Sequence, residues 1–146
     1  MADQTTSSIV IDATPSEIMA VIADLESYPE WTASVKEVEV LTVFEEDERP
    51  AEARFVLDAG AIKDEYTLEY EWDSHTEVRW TLTHGNLLKA LDGVYTLTPQ
   101  PDGSTDVIYQ LRVDVSIPML GLMKRKAEKV IIDTALKELK KRVEGG

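Results

Sequence analysis

Apolar and polar residues alternate along most of this chain, and the period of the alternation divides it into short strands between two helical segments. Alternation is clearest in YTLEYEW (66–72) and EVRWTLTH (77–84). A period of two places successive side chains on opposite faces of a strand. The same pattern predicts further strands at 35–44, 51–59, 87–99 and 106–117. Gly93 interrupts one of them, and we expect a β-bulge there.

The start of the chain predicts a strand followed by a capped helix. The β-branched segment TTSSIVIDA leads to Thr14, with Pro15 next and Glu17 three positions after the threonine. This spacing is typical of a capping box with proline at the first helical position. An apolar stripe at helical spacing follows, made of Ile18, Met19, Val21, Ile22 and Leu25.

The segment SYPEW places a proline and a tryptophan directly after this helix. Because Pro29 disfavours helical geometry at Tyr28, we expect the helix to end or bend near Ser27. The sequence therefore predicts a short helical corner between the first strand and the remaining six.

Residues 118–142 have the longest helical pattern, about 37 Å at 1.5 Å per residue. Its apolar side is predicted to comprise Leu120, Met123, Ala127, Val130, Ile131, Thr134, Ala135, Leu139 and Val143. Its charged side is predicted to comprise Lys124, Arg125, Glu128, Lys129, Lys137, Lys140 and Lys141. Such a helix is long enough to cover the apolar face of a sheet. The predicted fold class is α+β, with a curved antiparallel sheet of about seven strands around the C-terminal helix.

The length of 146 residues predicts one domain spanning 1–146. No apolar stretch is long enough to span a membrane, and MADQTTSS lacks the apolar core of a secretory signal, so we expect a cytoplasmic protein. Cysteine is absent, which excludes disulfides and thiolate catalysis. The two histidines have no metal-ligating spacing, and we expect neither a metal site nor a cofactor.

The net charge of −13 is unevenly distributed. Residues 118–146 hold eight Lys/Arg against four Asp/Glu, whereas the rest of the chain holds seven against twenty-four. Affinity for nucleic acid or anionic membranes needs a dominant basic surface, so we expect no nucleic-acid partner and no stable membrane insertion. The basic side of the last helix is either a solvated face or a local patch.

Three segments together resemble the START-like, or SRPBCC, superfamily: IDATPSEIMAVIADLESYPEW, VYTLTPQPDGSTDVIYQL and PMLGLMKRKAEKVIIDTALKELKKRVE. This superfamily includes polyketide cyclase/dehydratases, lipid-transfer proteins and birch-pollen-type allergens. The resemblance implies a helix-grip fold, in which the corner supports one end of the long helix. Trp31 is then either a core residue or part of a cavity rim.

In this fold a curved sheet grips one helix and leaves an apolar space between them, of the kind that binds small molecules. The alternative is that the same residues form a packed core. The residues expected to line the space, with Trp31, are Phe55, Leu57, Tyr66, Leu68, Tyr70, Trp80, Leu82, Tyr95, Leu97, Tyr109, Leu111, Met123, Ala127 and Ile131.

The first functional hypothesis is binding, for carriage or sequestration, of a hydrophobic small molecule such as a lipid, quinone or polyketide-like aromatic. The second is a polyketide cyclase/dehydratase-type enzyme, in which His84 transfers protons, cavity tyrosines donate hydrogen bonds and Asp92 orients the histidine. Strand parity aligns His84 with Trp80 and Leu82, although its neighbours Gly85 and Asn86 also suit a solvent-facing turn. A third hypothesis, a ribosome-interacting module, has only the basic helix face in its favour.

Overall fold

A computed structural model of the chain describes residues 5–58, 63–116 and 121–145, with the side chains of 121–123 outside the description. The predicted order of one strand, a helical corner, six strands and a long helix is confirmed. The elements are β1 (Thr5–Ile11), α1 (Pro15–Ala23), a 3₁₀ turn (Leu25–Ser27), α2 (Tyr28–Trp31), β2 (Val35–Val43), β3 (Pro50–Asp58), β4 (Lys63–Asp73), β5 (Glu77–Gly85), β6 (Leu88–Pro99), β7 (Thr105–Val115) and α3 (Gly121–Glu144).

The seven strands form one antiparallel sheet in the order β1-β7-β6-β5-β4-β3-β2. Register shifts interrupt the pairs β2–β3, β4–β5 and β6–β7. Such shifts bend strands and increase their twist. The sheet curves around α3, and the predicted helix-grip architecture is confirmed.

Gly93 is not at a bulge, contrary to the prediction. It lies in regular register between Trp80 on β5 and Leu111 on β7. A Cβ atom at this position would lie 2.2 Å from Cε2 of Trp80, far inside van der Waals contact. The glycine is required because the indole of Trp80 lies across its backbone.

The capping box of α1 forms as predicted. The Thr14 hydroxyl accepts a hydrogen bond from the Glu17 N–H at 3.2 Å, and the Glu17 carboxylate accepts one from the Thr14 N–H at 3.0 Å. The helix ends at Ala23, before the predicted Ser27, and the chain continues through the 3₁₀ turn into α2.

Tyr28 is helical, with φ −52° and ψ −42°, contrary to the prediction from Pro29. A new helix begins at Tyr28, so Pro29 lies in its first turn, where the missing N–H has no intrahelical partner to lose. The Tyr28 hydroxyl donates to the carbonyl oxygen of Ile22, and this bond ties the corner back to α1.

The buried face of α3 is rotated from the predicted one. Ile132, Leu136 and Leu139 are at most 2% exposed, whereas Val130, predicted to be buried, is 57% exposed. Glu128, predicted to lie on the solvated side, is only 1% exposed. The described helix runs past the predicted end to Glu144, and the predicted first residues, 118–120, lie outside the described part. None of the described helices combines the length and hydropathy needed to cross a membrane.

Glu128 joins α3 to two strands. Its carboxylate accepts hydrogen bonds from the Thr5 hydroxyl on β1 and from the Val113 N–H on β7, both at 2.7 Å. The described pairing of β1 with β7 starts at Thr5 and Leu111, so Val113 lies just beyond it. A buried N–H needs an acceptor. The Glu128 carboxylate supplies the one that a neighbouring strand would otherwise provide.

We predict that Glu128→Ala lowers the free energy of unfolding by about 3 kcal/mol, because it leaves a buried N–H and a hydroxyl without their acceptor. Glu128→Gln retains an acceptor oxygen and the side-chain shape, so its loss is expected to stay within about 1 kcal/mol. Denaturant unfolding measures both variants against Lys137→Ala, an exposed control on the same helix. Equal losses for Ala and Gln would contradict the assigned role of the Glu128 carboxylate.

Candidate functional site

A cavity of about 120 Å³ lies between the curved sheet and α3. Strands β2 to β7, the α2 corner and α3 all contribute to its wall. The wall includes ten of the residues predicted to bind a ligand, namely Trp31, Phe55, Leu57, Tyr66, Leu68, Tyr70, Trp80, Tyr95, Tyr109 and Ile131. Leu111, also predicted, lines it as well.

Three other predicted residues lie outside the cavity wall. Leu82 and Ala127 are partly buried against the hydrophobic core, and Leu97 is fully buried within it, but none of the three lines the cavity. The side chain of Met123 lies outside the described residues.

His84 is exposed and lies outside the cavity wall, contrary to its predicted place beside Trp80 and Leu82. A register shift between β4 and β5 is the cause: Leu68 pairs with Leu82, but Thr67 pairs with His84. Thr83 is the extra residue, and it reverses the strand parity beyond Leu82. Asp92, the predicted orienting group, is occupied elsewhere, accepting hydrogen bonds from Thr81 and Arg112.

Aromatic rings form the sheet side of the cavity and pack against one another. The ring centroids of Tyr95 and Tyr109 are 4.5 Å apart, and that of Trp80 lies 5.3 and 5.6 Å from them. The rings of Phe55 and Tyr66 stack at 5.5 Å. These contacts restrict the rotamers of the tyrosines, so each hydroxyl has a fixed position.

Four of the cavity tyrosines have hydroxyls without a hydrogen-bond partner among the described residues: Tyr66, Tyr70, Tyr95 and Tyr109. Each of these residues is at most 7% exposed. Among the described residues only the Thr32 hydroxyl is both fully buried and unpaired, so the tyrosine hydroxyl oxygens keep some surface that a water-sized molecule can reach. Four unpaired donors in one apolar space are therefore available to oxygen or nitrogen atoms of a bound molecule.

Burial raises the pKa of all four tyrosines above the ordinary value of 10.0. The nearby hydroxyl of Tyr109 raises the pKa of Tyr66, Tyr70 and Tyr95 further, and the carboxylate of Glu138 adds to the shift at Tyr95. These hydroxyls consequently stay protonated at neutral pH and act as hydrogen-bond donors, not as bases.

Polar groups from the corner and α3 complete the wall on the side opposite the sheet. Thr32 contributes a buried hydroxyl oxygen with no partner in the described structure, and Thr134 lies on the wall-facing side of α3. The Glu138 carboxylate also reaches the wall, where it accepts a hydrogen bond from the Ala33 N–H at 2.9 Å. Sequence reasoning missed Thr32 and Glu138 because a polar residue in a loop or on a charged helix carries no periodic signal.

Asp64 fixes the turn between β5 and β6, which adjoins the cavity. It is 8% exposed, and its carboxylate accepts hydrogen bonds from the N–H groups of Asn86, Leu87 and Leu88. Together with the Glu65 N–H, which donates at 2.8 Å, four backbone donors satisfy the buried carboxylate without a cation. Within the described ranges, no group of three or more histidine and carboxylate side chains is arranged to hold a metal ion.

We predict that the five tyrosines titrate only when the protein unfolds, since burial raises the pKa of every one, Tyr28 included. Because the tyrosine pKa values are higher in the folded than in the unfolded protein, their contribution to the free energy of unfolding is fully present below pH ~10 and is lost as the pH rises further. Tyrosinate absorbance and far-ultraviolet circular dichroism should change together above that pH, while urea-unfolded protein titrates near pH ~10. Tyrosinate absorbance that rises there with the dichroism intact would contradict the buried positions.

Residues 2–144 match the family described as polyketide cyclase / dehydrase and lipid transport. No curated protein matches the sequence. Among solved structures, a START superfamily protein from Mycobacterium smegmatis has a TM-score of 0.90 and 21% identity, with 97% of each chain covered.

Two further structures have the same fold. A protein from Thermus thermophilus has a TM-score of 0.81 and 24% identity, with 98% of each chain covered. The Zhui aromatase/cyclase from Streptomyces sp. R1128 has a TM-score of 0.79 and 10% identity, covering 99% of this chain and 94% of its own. The likeness to these structures establishes the fold, and the family match extends over nearly the whole sequence. The protein therefore belongs to the polyketide cyclase / dehydrase and lipid transport family.

Proposed function

We propose that this protein binds a hydrophobic small molecule with several hydrogen-bond acceptors, for carriage or sequestration, in the cavity between sheet and α3. The observation that carries the proposal is the set of four cavity tyrosines whose hydroxyls have no hydrogen-bond partner among the described residues. A fully packed core would leave these hydroxyls without any acceptor, which costs roughly 1–3 kcal/mol for each group, whereas in a cavity a bound molecule supplies the acceptors.

The wall chemistry favours an oxygenated ring compound, such as a quinone or polyketide-like aromatic, over a plain hydrocarbon chain. A flat aromatic ligand stacks on the rings of Trp80, Tyr95 and Tyr109, which form part of the wall. The protonated hydroxyls then donate to carbonyl or phenolic oxygens, while the leucines and isoleucine of the wall exclude water. Membership of a family described by polyketide cyclisation and lipid transport supports such a ligand. The net charge of −13 supports binding without a nucleic-acid partner.

We predict that Tyr66→Phe/Tyr109→Phe weakens the binding of menadione, a naphthoquinone, by about tenfold or more, because each lost hydrogen bond contributes roughly 1 kcal/mol. The affinity for 2-methylnaphthalene, which has the same ring system without oxygens, should change little, since phenylalanine keeps both rings in place. Fluorescence titration or calorimetry measures both ligands.

Tyr28→Phe is the matched control, because the Tyr28 hydroxyl already donates to the Ile22 carbonyl and is not free for a ligand. It should lower stability and leave the menadione affinity unchanged. Failure of the unmodified protein to bind either ring compound, or equal weakening of both by the double variant, would count against the proposed function.

A second candidate function, a cyclase/dehydratase-type enzyme, is favoured by the position of Glu138. Its carboxylate lines the cavity that holds the tyrosines, in contrast to His84, which lies outside. In an aldol closure, Glu138 would take a proton from the carbon beside a carbonyl, and the resulting enolate would attack a second carbonyl carbon. A tyrosine hydroxyl would protonate the alkoxide. The protonated Glu138 would then give its proton to the departing hydroxyl while the tyrosinate takes a proton from the neighbouring carbon, so that water leaves, a carbon–carbon double bond forms and both side chains are restored.

For this second candidate we predict that Glu138→Gln abolishes cyclisation of a short poly-β-ketone thioester and leaves menadione binding within about twofold, since the amide removes the base and keeps the side-chain volume. His84→Ala is the control, and it should change neither quantity. Product formation is followed by mass spectrometry, where loss of water is directly visible. Absence of any product from the unmodified protein would leave binding as the function.

A further inference from the structure

The cavity is small for the ligands proposed above. Its volume is about 120 Å³, whereas a cavity of about 150 Å³ accommodates a single benzene ring. Pockets for larger organic ligands occupy about 300–1,000 Å³. A two-ring molecule therefore requires part of the wall to move when it binds.

A second depression, of about 460 Å³, opens on the outer surface beside the C-terminal part of α3. Its lining residues are Glu30, Trp31, Glu138, Lys141, Arg142 and Gly145. Trp31 and Glu138 line both this depression and the inner cavity. These two side chains consequently form the partition between the interior space and the surface.

The chain segment that carries Trp31 is held firmly at its two ends. At one end the Tyr28 hydroxyl donates to the Ile22 carbonyl, and at the other the Ser34 carbonyl accepts from the Asp58 N–H at 2.7 Å. We call the intervening residues 29–33 the strap. None of the residues of α2 is fully buried. Trp31 is partly buried against the core and packs edge-on against Tyr28, so it is the one large side chain whose packing opening would disturb.

Two polar contacts among the described residues join the strap to α3. The Ala33 N–H donates to the Glu138 carboxylate at 2.9 Å, and Arg142 donates to Glu30 at 3.2 Å. The side chains of Arg142 and Glu30 are 37% and 64% exposed, and ion pairs this exposed contribute about 0–1 kcal/mol. The Thr32 hydroxyl of the strap is buried without a partner, which further reduces the stability of the position it occupies.

The rest of the described wall is held more strongly. Its central strands are hydrogen-bonded on both sides, and α3 is fixed by Ile132, Leu136 and Leu139 together with the buried Glu128 carboxylate. Moving any of these would break ladder hydrogen bonds or expose core side chains.

The strap is held more weakly than the rest of the described wall. We therefore propose that it is the movable side of a ligand portal, an inference that rests on the proposed binding function. Ligands enter and leave between Trp31 and Glu138. Opening breaks the Ala33–Glu138 and Glu30–Arg142 contacts and leaves the strand pairing and the core face of α3 intact. It also exposes the Thr32 hydroxyl to water or to the passing ligand.

The test uses Glu30→Cys/Arg142→Cys, which places the protein's only two thiols on opposite sides of the portal, since the chain has no cysteine. A reversible bifunctional methanethiosulfonate reagent joins them, and stopped-flow fluorescence records uptake of N-phenyl-1-naphthylamine. We expect the crosslink to slow uptake by roughly tenfold or more, because the strap then cannot leave α3. Reduction of the crosslink should restore the rate to that of the uncrosslinked variant or of the unmodified protein.

Ser7→Cys/Asp133→Cys is the matched control, because its crosslink joins α3 to β1. The Ser7 hydroxyl and the Asp133 carboxylate are 2.7 Å apart, and neither residue lines the inner cavity or the outer depression. Its crosslink should leave the rate of uptake unchanged. Unchanged uptake through the portal crosslink, or equal slowing by both crosslinks, overturns the portal and leaves the binding function standing. Absence of probe binding to the unmodified protein overturns the binding function, and the portal with it.

Discussion

One helix has to cover the apolar face of a seven-stranded sheet, and it is too narrow to do so. Seven strands about 4.8 Å apart span roughly 29 Å, whereas a helix with its side chains is about 10–12 Å across. Bulges curve the sheet around α3, and α1 with the α2 corner covers part of the remaining face. The space that stays uncovered is the cavity, so the candidate binding site follows from a mismatch between the widths of the sheet and the helix.

Aromatic residues keep that space open and give it polarity. Rings that stack on one another support their neighbours laterally, so they do not need to collapse onto α3. Gly93 contributes by letting the Trp80 indole lie against the β6 backbone. The tyrosines then hold their hydroxyls in a region of low dielectric, where burial keeps them protonated. An apolar space with such donors matches the oxygenated ring compounds of the proposed function.

Some parts of the cavity wall are held in place by stronger interactions than others. Carboxylates that accept backbone N–H groups, Asp64 at the β5–β6 turn and Glu128 at the β7 edge, fix the elements around the cavity. The strap has one such bond, from the Ala33 N–H to the Glu138 carboxylate, but this bond and the Glu30–Arg142 ion pair both lie at exposed positions. Motion at the least stable segment costs the fold little, which is the usual position for elements that open toward ligands.

His84 and Glu128 illustrate where reasoning from the sequence failed. Strand parity holds only while the register is unbroken, and one extra residue at Thr83 moved His84 to the outer face. Periodicity placed Glu128 in solvent because a carboxylate is costly to bury alone. The compensating donors lie far from Glu128 along the chain, Thr5 at a separation of 123 residues and Val113 at a separation of 15.

The sequence by itself determined the capping box, the helical corner, the order of the strands and the family, because each depends on residues that are close neighbours along the chain or on patterns repeated within one element. The tertiary structure decided the rotation of α3, the side of the sheet that His84 faces, and the meeting of Trp31 with Glu138 at the edge of the cavity. Those features depend on bulges and on long-range hydrogen bonds. No local pattern encodes them, because their energies arise only when distant segments are already in contact.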